Sequence, residues 1–150
     1  MPANLGFDFI NRVLATSGVL LRESQHFFRP LGVTEAQFNV LNVLAKAPAG
    51  LSQRELGDVL VVDRSNVTGL LDRMEKAGWV RREAHREDRR IHRVMLTAGG
   101  RQLWTKVWPL YLVAVEKVVA DIPVADVKHA LASLAALEAG AKNWGQKIRA

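Results

Sequence analysis

The residues from Leu70 to Thr97 constrain this chain more than any other stretch. Leu70, Leu71 and Met74 fall on one side of a helical wheel, and Gly78 follows as a residue that closes a helix in the left-handed conformation. Trp79 to Glu83 and Ile91 to Leu96 are rich in β-branched and alternating residues around a polar, charged tip, as the strands of a long hairpin are. Thr97 then stands where it caps a further helix. Helix, strand, arginine-dense turn, strand and helix make the outline of a winged helix, mainly α with a small β-hairpin. Such a unit presents one helix to a DNA major groove and one basic hairpin to the neighbouring backbone or minor groove.

The flanking segments read as helices with clear punctuation. Phe7, Ile10, Leu14 and Leu21 recur at helical spacing and predict a first helix from about Leu5 to Phe28, ended by Arg29-Pro30-Leu31-Gly32. Thr34 and Gln37 form a capping box, with Val33 and Phe38 as a hydrophobic staple, and the helix they start stops before Pro48. The device repeats with Ser52 and Glu55 as the box, Leu51 and Leu56 as the staple, and a short helix to about Leu60. Asp63 is the expected cap of the helix that carries Val67, Leu70, Leu71 and Met74. The helix after Thr97 runs to about Ala120. Pro109 within it cannot donate to the Thr105 carbonyl, which predicts a kink. A last helix starts near Pro123. Its Val127, Ala130, Leu134, Leu137, Ala141, Trp144 and Ile148 form a seam suited to a helix of the same chain or of a partner subunit.

Charge placement narrows the partner. The 150 residues hold 21 Lys plus Arg against 15 Asp plus Glu, a formal charge of +6. From Arg81 to Arg93 six arginines face three acids, so half of that excess sits in 13 residues. A patch of this kind favours a polyanion, because each phosphate neutralised releases counterions. Arg86, Arg89 and Arg90 cluster at the hairpin tip, and Asp88 is spaced to hold the Arg90 guanidinium by a bidentate pair. On the helix before the hairpin, Ser65, Gly69, Asp72 and Lys76 lie opposite the apolar stripe. Arg64, Ser65, Asn66 and Thr68 stand near the end that meets base edges or phosphates, and Arg73 stands where it takes a phosphate.

Other chemistries find little support. The chain has no cysteine, which removes disulfides, thiolate metal sites and thiol redox sensing. Its four histidines are scattered, without HxxxH or HExxH spacing, and no GxSxG, P-loop or dinucleotide glycine pattern occurs. The expectation is therefore no catalytic residue, no metal and no cofactor. Asp8, Asn11 and Arg12 interrupt the first apolar run, and Glu116 and Lys117 interrupt the apolar stretch from Val107 to Ala120, so neither a secretory signal nor a membrane span is expected and the cytoplasm is. Arg22 and His26, one turn apart on the first helix, are candidates for receiving an anionic ligand.

From Leu31 to Gly100 the chain resembles the MarR family of transcriptional regulators, the multiple antibiotic resistance regulators. The residues that carry the likeness are Val33-Thr34 with Gln37-Phe38, Leu51-Ser52 with Glu55-Leu56, Arg64-Ser65-Asn66-Val67-Thr68, Leu71-Asp72-Arg73-Met74-Glu75, Gly78, Asp88-Arg89-Arg90, Val94, Leu96-Thr97 and Gly100. The resemblance implies one domain over residues 1–150, with a winged helix-turn-helix lobe at about 31–100 and dimerisation helices at about 5–28 and 101–149. It implies a homodimer on a palindromic operator of double-stranded DNA, commonly a repressor. Many members release DNA when a small aromatic or phenolic anion binds between the dimerisation helices and the lobe. Arg64, Ser65, Asn66, Thr68 and Arg73 fall on the family's recognition-helix positions, and Asp88 and Arg90 on its wing acid and arginine. One departure stands out: Gly69 occupies an outward position where many relatives carry a longer, often basic side chain, at a helix cost of up to ~1 kcal/mol relative to alanine. The competing reading keeps the fold and makes the basic surface a protein-binding site, as in a co-regulator indifferent to DNA sequence.

Overall fold

A computed structural model describes residues 4–60, 64–84 and 92–144, with Arg64 and Ser65 described by their backbone alone. The chain divides into two compact units, Met1–Pro109 and Leu110–Ala150. The first contains α1 (Leu5–Phe28), a 3-10 turn (Arg29–Leu31), α2 (Glu35–Ala45), β1 (Leu51–Ser52), α3 (Gln53–Val59), α4 (Arg64–Lys76), β2 (Val80–Ala84), β3 (His92–Leu96) and the start of α5 (Ala98–Val119). The second contains the rest of α5 and α6 (Val124–Lys142). Pro109 lies inside α5 without ending it.

Both capping boxes form reciprocally. The Thr34 amide donates to Gln37 Oε1 at 2.8 Å and the Gln37 amide to Thr34 Oγ1 at 3.2 Å. Ser52 and Glu55 repeat the pattern at 2.7 and 3.2 Å. Each box satisfies two amides that the first helical turn would leave without partners, so both helix starts are fixed by four consecutive residues. The predicted cap at Asp63 lies outside the described residues.

The sheet is antiparallel in the order β1-β3-β2. Val94 stands opposite Leu51 on one side and Arg82 on the other, while Val80 pairs with Leu96. Sequence reasoning found the hairpin and missed β1, whose Ser52 is both a strand residue and the cap of α3. The core of the first unit is built from one face of each element: Val40, Leu41 and Leu44 of α2, Leu56 of α3, Val67, Leu70, Leu71 and Met74 of α4, and Val80 and Val94 of the sheet, with Leu60 beside them. Phe28, Phe38, Trp108 and Trp104 extend it as a chain of rings with centroids 4.9, 6.3 and 5.9 Å apart. In the second unit none of the described residues is buried, although Val118, Val124 and Leu131 are large and apolar.

Candidate nucleic-acid interface

Helix α4 is amphipathic in the way its sequence predicts. Val67, Leu70, Leu71 and Met74 are buried, while Asn66, Thr68, Asp72, Arg73 and Lys76 are exposed. Its C-terminus is fixed by a Schellman motif, in which the Gly78 amide donates to the Glu75 carbonyl and the Trp79 amide to the Met74 carbonyl, both at 2.9 Å. Gly78 has φ 74°, a conformation that a Cβ disfavours. Thr97 then ties this end to α5: its hydroxyl donates to the Gly78 carbonyl at 2.5 Å and accepts from the Gly100 amide at 3.0 Å. Gly100 is required for a different reason, since a Cβ there would run into the backbone carbonyl of Trp79.

A second tether joins α4 to the hairpin. Arg82 reaches Asp72 Oδ1 at 2.6 Å and Glu75 Oε2 at 2.5 Å, and its amide donates to Glu75 Oε1 at 2.9 Å. Partial burial alone would lower the Arg82 pKa, but the hydrogen bonds and charges of Asp72 and Glu75 outweigh it and hold the guanidinium more firmly protonated than usual. The same pairs occupy both acids of α4, so its outer face presents Arg73 and Lys76 without those carboxylates to compete for them. From α3, Gln53 Nε2 donates to the Thr68 hydroxyl, which sets the packing of the two helices of the helix-turn-helix. On the far side of the sheet Arg93 Nη1 donates to the Gly50 carbonyl at 2.7 Å.

The sequence-predicted residues are placed as follows. Asn66, Thr68 and Arg73 lie exposed on α4, and Arg64 and Ser65 begin it, their side chains outside the described set. Arg86, Asp88, Arg89 and Arg90 lie outside the described residues. The strands bring the chain to that segment in a defined register, with Glu83 opposite Arg93 and Ala84 opposite His92. Arg22 and His26 are exposed on α1. They line neither the 330 Å³ concavity at Gln53, Arg54, Gly57 and Val67 nor the 350 Å³ one between Gln25 and Gln37. Sequence reasoning missed Arg82, Gln53 and Arg93. For Arg82 a signal existed: strand alternation puts it on the face of Val80, and an inward arginine needs an acid, which Asp72 and Glu75 supply from one helix stripe.

A short helix and an exposed amphipathic helix joined by a turn, followed by an antiparallel hairpin braced against the second of them, define a winged helix-turn-helix protein. Residues 31–91 match the family model described as MarR family. That segment, the helix-turn-helix and the first strand of the hairpin, belongs to the MarR family. The transcriptional activatory protein BadR of Rhodopseudomonas palustris is 35% identical over 103 residues, which cover 67% of this chain and 59% of BadR. Across the relatives of this kind, the aligned part spans roughly half of the relative's length. Among solved structures, a mutant MarR from E. coli complexed with operator DNA superposes with a TM-score of 0.78 at 25% identity, covering 91% of this chain and 99% of that one. CouR from Rhodococcus jostii RHA1, bound to p-coumaroyl-CoA, gives 0.75 at 25% identity over 90% and 92% of the two chains.

Proposed function

We propose that the chain is a dimeric, sequence-specific DNA-binding regulator of transcription, a repressor that a small aromatic or phenolic anion releases. The observation that carries this reading is the mounting of α4. Its apolar face is locked into the core, both ends of its C-terminal turn are tethered through Thr97 and Arg82, and its outer face is a polar, net basic surface of which Thr68 and Asp72 bond within the lobe while Asn66, Arg73 and Lys76 face outward. Arg64, Ser65, Asn66 and Thr68 are the residues assigned to base edges and phosphates, and Arg73 joins them. Arg86, Arg89 and Arg90 of the wing are assigned to backbone or minor groove, with Asp88 orienting Arg90. The crystal structure of a MarR relative complexed with operator DNA supports a DNA partner for this fold.

Residues 1–150 act as one functional domain in this reading, with the lobe at about 31–100 flanked by dimerisation helices. Exposed Leu5, Phe7 and Leu14 of α1 and Leu131, Leu134 and Trp144 of the C-terminal segment support a homodimer, since scattered burial of this quality within one chain leaves them in water. Arg22 and His26 are assigned to the anionic effector, and the aromatic acyl ligand of CouR supports that ligand class. The reading assigns no enzymatic activity, metal or cofactor, and a DNA partner places the protein in the cytoplasm. No helix among the described residues is long and apolar enough to cross a membrane.

The test is selection from random duplex DNA followed by fluorescence anisotropy at two salt concentrations. Enrichment of a palindrome bound about a thousandfold more tightly than a scrambled duplex is the expected result. Salt-sensitive binding that is equal for all sequences sinks the specific regulator and favours the protein-interaction reading.

A further inference from the structure

Gly69 is a glycine without an internal reason. It lies in the middle of α4, has no positive φ, and among the described residues a Cβ built on it would meet only Arg73 Nη1, at 3.5 Å. Neither its backbone conformation nor packing among the described residues calls for it, and glycine inside a helix is unfavourable. A Cβ alone would rest in ordinary van der Waals contact with Arg73, whereas a longer side chain at 69 would contend with it for the same space. Long helical side chains lean toward the N-terminus over the residue four positions earlier, so Arg73 lies back across the bare backbone of Gly69. The acids beside it do not hold it there, because Asp72 and Glu75 are both engaged by Arg82.

We infer that Gly69 and Arg73 form a single reading element, in which the missing side chain at 69 seats the Arg73 guanidinium one turn toward the groove-facing end of α4 to contact a base. The inference rests on the DNA-binding reading and revises one part of it: Arg73 is a specificity determinant rather than a phosphate contact. A planar guanidinium offers two parallel donors that match the O6 and N7 acceptors of guanine. Residue 69 follows Asn66 and Thr68, the exposed polar residues nearest the helix start among the described side chains.

The test begins with the duplex that the wild-type protein enriches from a random pool, and with the set of single base-pair changes of that duplex. Arg73→Gln is expected to lose about tenfold discrimination at one or two base pairs. Gly69→Leu, whose side chain fills the space that Arg73 occupies, is expected to lose discrimination at the same base pairs, and the double variant to lose no more than either single one. Gly69→Ala, whose methyl makes only ordinary contact with Arg73, is expected to discriminate as wild type does. Both substitutions at 69 should melt no lower than wild type, since each replaces glycine in an exposed helix, so a loss of binding cannot be a loss of fold. Unchanged discrimination in Gly69→Leu overturns the inference, as do losses that multiply in the double variant. Equal weakening on every duplex also overturns it, because it marks Arg73 as a phosphate contact. If the wild type enriches no sequence, the regulator reading fails and the inference with it.

Discussion

The two units of this chain solve the problem of apolar surface in opposite ways. In Met1–Pro109 the main core cluster draws its residues from α2, α3, α4 and the sheet together. In Leu110–Ala150 two helices carry as apolar a sequence and bury nothing among the described residues, with Val124 71% exposed and Leu131 63%. The difference teaches where each unit's stability originates. The first contains its own solution; in the dimer proposed above, a second copy removes the exposed helix pair of the second from water.

That contrast breaks most visibly in the core. Leu71→Ala removes a side chain with no exposure, and should cost about 2–5 kcal/mol in denaturant unfolding. A cost below about 1 kcal/mol would show that the lobe core is not packed as described. Gly100→Ala comes next, at roughly 1–3 kcal/mol, because its methyl must displace the Trp79 backbone. The opposite sign is expected at Gly69→Ala, which gains up to ~1 kcal/mol. Thr97→Val loses the hydroxyl that caps α5 and holds Gly78, and should lower stability by about 1 kcal/mol. For the second unit, Leu134→Ser should change stability by less than ~0.5 kcal/mol at high dilution while abolishing the rise of Tm with protein concentration. A wild-type Tm that does not depend on concentration removes the dimer from the account.

The smallest effect is electrostatic. Hydrogen bonds from the Ser52 backbone and hydroxyl hold the Glu55 carboxyl below its ordinary 4.5, with a lesser contribution from the charge of Arg93. A depressed carboxylate pKa stabilises the fold above 4.5, and that stabilisation fades as pH falls through the lowered value. Glu55→Gln keeps the acceptor and removes the titration, so its acid unfolding profile should be shallower than that of wild type. Identical profiles would show that the α3 cap does not contribute to acid sensitivity.

What was legible in the sequence was what local chemistry writes. Both capping boxes, the span of α1, the glycine that ends α4 and the threonine that starts α5 are signals within four or five residues, and each matches the structure. The hairpin was legible with a one-residue shift at β2, which begins at Val80 rather than Trp79 because the Trp79 amide belongs to the Schellman motif. β1 was not legible, since two residues carry no period and its partner is fixed only by the fold. The outward face of α4 followed from the wheel. The Arg82 tether left a signal in the strand alternation that went unread, whereas the Gln53–Thr68 bond depends on a distance across elements that spacing in one helix does not encode.

The short strand β1 also sets how the lobe comes apart. Its pairing with β3, reinforced by Arg93 on the Gly50 carbonyl 43 residues away, closes a loop that contains α3, α4 and the whole hairpin outward of it. The caps inside that loop are local and form quickly, whereas the closure must first overcome the entropy of bringing distant ends together. The surface proposed to meet DNA is therefore expected to assemble last and to open first, as one cooperative piece. In amide hydrogen exchange, β1 and the facing residues of β3 should then lose protection together and ahead of α2.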